Sequence, residues 1–129
     1  MNASVGFIVF LVITLACLTG AVVTGRAARR KLHLRIVTLT VISLVVTIYY
    51  AEQLGKLYDL ESAGWIYPFH LLIAKVASAS YLIVIASGYA TIKNTARRKT
   101  HATVAYSVIA LTVLTAVTGA WMVFAATPL

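Results

Sequence analysis

Four uncharged stretches, residues 1–25, 36–51, 76–92 and 102–129, leave this chain few ways to fold. In lipid every backbone N–H and C=O must be paired within the protein, which restricts long apolar segments to helices or closed barrels. A helical span takes about 20 mostly apolar residues. Allowing for polar ends, the pattern predicts transmembrane helices at roughly 4–25, 33–57, 67–92 and 101–126. Only 11% of the residues are charged, against roughly 25% in soluble domains, so no soluble domain is expected. The expected fold class is all-α, an integral membrane four-helix up-down bundle that forms a single domain over residues 1–129. The first run reads as a resident helix, because its positive charge, beginning at Arg26, follows the apolar segment. A cleaved signal carries its charge in front.

Charge sets the expected orientation. Arg26, Arg29, Arg30, Lys31 and Arg35 follow helix 1, and Lys93, Arg97, Arg98 and Lys99 follow helix 3. The acids Glu52, Asp59 and Glu61 lie at the other end of the helices. By the positive-inside rule both basic loops face the cytoplasm of a bacterial or archaeal plasma membrane, with both termini outside. The net charge of +8 then points to anionic lipid at the cytoplasmic face and not to nucleic acid, for which no motif is present. The single Cys17 excludes an internal disulfide and reads as packing.

The basic loops share a written phrase. ARRKLH (Ala28 to His33) returns as ARRKTH (Ala96 to His101), and the match extends from Thr19–His33 to Ser87–His101. At this offset Gly20 meets Gly88, His33 meets His101, and Thr47 meets Thr115. Two helices per unit preserve orientation, so the chain reads as a tandem duplication of a helical hairpin.

In an up-down bundle, helices 2 and 4 face each other across the core. His33 and His101 open those helices, while Gly20 and Gly88 lie on helices 1 and 3 near the same membrane face. Neutral imidazole is a haem-iron ligand, and glycine lets a flat ring approach backbone. The expected site is therefore one haem b, its iron held by His33 and His101, with Gly20 and Gly88 as walls. Arg30, Arg35 and Arg98 would meet its propionates through charge-assisted hydrogen bonds. The layout is similar to the helical core of the transmembrane b-type cytochromes. The second haem site usual in those proteins is not expected, since Thr47 and Thr115 stand four turns further along. The competing reading places both histidines among lipid head groups as cationic flanks, and the glycines as close-packing points. Two histidines do not make a closed zinc site, which takes four ligands.

A second polar cluster is expected toward the outer face, from Glu52, His70 and Lys75. An ionisable Lys75 at membrane depth calls for a partner, and Glu52 is the candidate. The pair reads either as a tie between helices 2 and 3 or as part of a proton or quinone-headgroup site. Tyr58, Trp65, Tyr67 and Trp121 read as an interfacial belt.

RRKLHLRIVTLT, IYYAEQL, WIYPFHLLIA, RRKTHATVAY and TGAW together resemble the small four-helix bacterial membrane proteins linked to cytochrome c oxidase assembly, the CtaM type. The likeness covers helices 2 to 4. That family carries a further histidine at the end of helix 2 and a Pro–Trp element in helix 4. This chain has Ala51-Glu52-Gln53 and Val108-Ile109-Ala110-Leu111 there. The resemblance implies a respiratory setting. Two functions follow: a one-haem electron carrier within a respiratory complex, or a non-redox accessory or assembly factor for a haem-copper oxidase. No nucleophile–base pair or phosphate loop supports an enzyme with its own substrate.

Overall fold

A computed structural model describes residues 1–129. The chain is all-α, as its sequence implies, with helices α1 (Ala3–Arg26), α2 (Arg30–Gly55), α3 (Ile66–Lys93) and α4 (Arg98–Ala125). All four are long and apolar enough to cross a membrane, and the chain is an integral membrane protein. Two-residue strands β1 (Tyr58–Asp59) and β2 (Thr127–Pro128) pair with each other. The chain divides into two compact units, Met1–Tyr58 and Asp59–Leu129. Each is a helical hairpin, α1 with α2 and α3 with α4.

The distribution of side chains inverts that of a soluble protein. Thr14, Thr24, Thr40, Ser43, Thr47, Thr112 and Thr118 are buried, while Leu82 is 72% exposed and Phe124 is 90% exposed. Lipid is as apolar as leucine, so helices gain nothing by hiding leucine from it. They associate through small residues and internal hydrogen bonds. The buried hydroxyls satisfy themselves on their own helices: Thr14 donates to the Phe10 carbonyl, Thr47 to Ser43, and Thr112 to Val108. This back-bonding is how threonine sits in a helix interior. No buried side-chain nitrogen or oxygen lacks a partner.

In the first hairpin α2 presents His33, Ile36, Thr40, Ser43, Thr47, Tyr50 and Leu54 in alternating steps of three and four residues, all buried or half-buried. Such a 3.5-residue period keeps one seam facing one neighbour. Against it α1 sets small residues. Gly6 receives the Tyr50 ring, which also stacks on Phe10 with centroids 5.8 Å apart. Thr14 Oγ1 lies 3.0 Å from Ser43 Oγ and 3.1 Å from Thr47 Oγ1. The α4 seam is the same register shifted by the repeat offset: His101, Val104, Val108, Leu111, Thr115, Thr118 and Met122, again buried or half-buried. There Tyr81 O–H and Thr112 share a bond of 2.7 Å. The two seams thus share one packing register at the 68-residue offset.

The first connection is tighter than expected, and α2 starts three residues early. Ala27 N–H bonds to the Val23 carbonyl and Arg29 N–H to Thr24. This reversal places Ala28 at φ 55, a left-handed conformation that is usually given to glycine. In the second hairpin a 3-10 turn, Thr95–Arg97, intervenes between the helices. At the opposite end Pro68 falls in the first turn of α3, where a missing N–H breaks no helical bond.

Candidate functional site

In each hairpin a histidine at the start of the second helix reaches back to the first. His33 is the fourth residue of α2, after Arg30, Lys31 and Leu32. His101 is the fourth of α4, after Arg98, Lys99 and Thr100. Both are half-buried although they follow exposed basic residues. His33 Nδ1 lies 2.9 Å from the Ala21 carbonyl oxygen and 3.2 Å from Thr24 Oγ1. A carbonyl only accepts, so Nδ1 carries the proton. Thr24 agrees, because its own hydrogen is donated to the Gly20 carbonyl at 2.8 Å.

His101 repeats the arrangement with a different acceptor. Its Nδ1 is 2.8 Å from Ser87 Oγ, and the Ser87 hydrogen is donated to the Val84 carbonyl at 2.9 Å. The serine oxygen must therefore accept from Nδ1–H. His70 on α3 does the same toward α4: Nδ1 is 2.9 Å from Thr118 Oγ1, whose hydrogen goes to Leu114 at 2.9 Å. In all three rings Nδ1 is the nitrogen that donates to the facing helix. A donating Nδ1 is the arrangement in which an imidazole can ligate a metal through Nε2 while the acceptor fixes the plane of the ring.

A glycine follows the hydroxyl in every case. A methyl group added at Gly25 would stand 3.2 Å from His33 Cε1; at Gly88, 3.1 Å from His101 Cε1; at Gly119, 2.9 Å from His70 Cε1. The steps Thr24-Gly25, Ser87-Gly88 and Thr118-Gly119 are thus one device. The hydroxyl orients the ring, and the absent side chain makes room for its edge.

This corrects the repeat on helices 1 and 3. Gly20, the partner assigned to Gly88 from the sequence, meets Ile36 at 3.4 Å. In its contact with a histidine, Gly88 corresponds to Gly25, 63 residues earlier. The difference arises because α3 runs one turn further past Gly88, to Lys93, than α1 runs past Gly25, to Arg26, and because the first connection is one residue shorter. The signal was present in the sequence as recurring Thr-Gly and Ser-Gly pairs, but Thr19-Gly20 is a fourth such pair, and aligning the loops without a gap selected it.

Arg30 and Arg98 open α2 and α4, each one turn before its histidine, and Arg35 lies two residues beyond His33; all three are exposed. Of the second cluster, Glu52 is exposed on α2 and Lys75 is exposed on α3. His70 turns to Thr118 instead, and Lys75, five residues on, stands on a different face of the helix. Trp65 and Trp121 meet edge to face with centroids 5.2 Å apart. No three histidine, cysteine or acidic side chains gather into a metal cage. Compared with known proteins, the chain matches no family model, no curated protein and no solved structure.

Proposed function

We propose that this protein is a membrane b-type cytochrome that holds one haem b through His33 and His101 and passes electrons within a respiratory complex. The supporting observation is that two imidazoles, one per hairpin and each at the fourth position of a helix after a basic run, are each held by a hydrogen bond at Nδ1 to the preceding helix. The residues fit the group: two imidazole nitrogen donors suit six-coordinate haem iron. Haem when bound supplies one-electron redox chemistry. The chain's own contribution is to hold Nε2 as the donor and to stop the rings from turning, through Ala21 and Thr24 for one and Ser87 for the other. A hydrogen bond from Nδ1–H also raises the basicity of the ligating nitrogen. Arg30, Arg35 and Arg98 would pair with the propionates. Gly25 and Gly88 act through the imidazoles they admit, a role that replaces the ring walls first assigned to Gly20 and Gly88.

Orientation follows from the same charges. Both basic ends face the cytoplasm, the termini lie outside, and the haem belongs to the cytoplasmic side of the membrane.

A second reading is a non-redox accessory or assembly factor for a haem-copper oxidase. What favours it is that each imidazole also ties its own hairpin together, while large apolar side chains such as Leu82 and Phe124 remain exposed for a partner. A pyridine haemochrome assay on protein purified from haem-replete cells separates the two. One haem b per chain is the expected value; a preparation that is pure, folded and haem-free would leave the accessory role.

A further inference from the structure

A cleft of about 220 Å³ opens on the second hairpin, lined by Ser80 and Ile83 of α3 and by Thr103, Val104, Ser107 and Leu111 of α4, with buried Val108 also on its wall. Its hydroxyls have no hydrogen left for a ligand. Ser80 donates to the Val76 carbonyl, Thr103 to Lys99 and Ser107 to Thr103. The wall therefore behaves as methyl and methylene surface. From Thr103 to Leu111 the trough runs about 12 Å at ~1.5 Å per residue, the length of roughly half of a long acyl chain.

The mouth of the trough is cationic. Lys99, Thr103 and Ser107 succeed one another at four-residue steps on one face of α4, so exposed Lys99 stands one turn beyond the end of the cleft, and exposed Arg97 lies two residues earlier in the 3-10 turn. Apolar trough and basic mouth together match an amphiphile with a negative head. We propose that this cleft binds an anionic phospholipid, an acyl chain lying between α3 and α4 and the phosphate meeting Lys99 and Arg97. A zwitterionic lipid would fill the trough but leave the two cations unanswered. A second copy of the chain would bring its own net charge of +8 to the same place.

The test is native mass spectrometry on delipidated protein given phosphatidylglycerol and phosphatidylcholine in equal amounts. The wild type is expected to retain phosphatidylglycerol at least about fivefold better, the ratio that ~1 kcal/mol from one basic side chain produces. Ser107→Phe, which fills the trough from an exposed position, should lose retention of both lipids. Arg97→Gln combined with Lys99→Gln should abolish the preference and keep the residual binding; these exposed charges carry the test if Ser107→Phe does not fold. Equal retention by the wild type, or a preference unchanged in the charge variant, overturns the proposal. So does a dimer that Ser107→Phe disperses, which would make the cleft an interface between copies.

Discussion

A glycine that admits an imidazole edge cannot take a methyl group without moving the ring. Gly119→Ala should therefore destabilise the second hairpin by about 1–3 kcal/mol, the usual cost of overpacking. Gly20→Ala should cost far less, since Ile36 lies at an ordinary contact distance of 3.4 Å and alanine is the better helix former. Gly6→Ala should be worse than either, because the Tyr50 ring already occupies the space. Unfolding in mixed detergent micelles with increasing dodecyl sulfate gives the order, and a Gly20→Ala loss equal to the others would break the account. Thr118→Val tests the hydroxyl half of the device. It removes the acceptor of the half-buried His70 Nδ1–H and should cost about 1 kcal/mol, the net worth of one such hydrogen bond.

At the level of elements, the tight α1–α2 reversal holds Ala28 at φ 55, where a side chain costs roughly 1–2 kcal/mol. Ala28→Gly should accordingly stabilise the first hairpin by about 1 kcal/mol, read in the same titration; a loss of stability would mean that the turn is not left-handed there. The four helices were legible because a charge-free run of this length has no alternative in lipid. Their partner faces were less so. α1 is apolar on all sides, so periodicity of polarity is weak, and the seam is marked by size and hydroxyls instead: Gly6, Thr14, Thr24. His33 and His101 stood out because ARRKxH is written twice. Ala21 could not stand out, since it acts through a backbone carbonyl that any residue supplies. Thr118 and Gly119 were missed because His70 has no counterpart in the repeat, so nothing directed attention from α3 to that step on α4.

For the whole molecule, the claim with consequences is that two copies of one hairpin carry equivalent ligands to one redox centre at the basic, cytoplasmic side. Orientation is checked by labelling single cysteines, Arg29→Cys and Glu61→Cys, in a Cys17→Ala background with a membrane-impermeant maleimide on intact cells. Glu61→Cys should react and Arg29→Cys should not; the reverse pattern would invert the topology. The most direct measurement is the visible absorption spectrum of detergent-purified variants made with ample haem. His33→Ala and His101→Ala should each lose the low-spin bis-imidazole spectrum of the wild type, while His70→Ala, whose ring is held by Thr118 at 2.9 Å in the same manner but outside the repeat, should keep it. A wild type without a Soret band, or a spectrum that only His70→Ala destroys, would contradict the account.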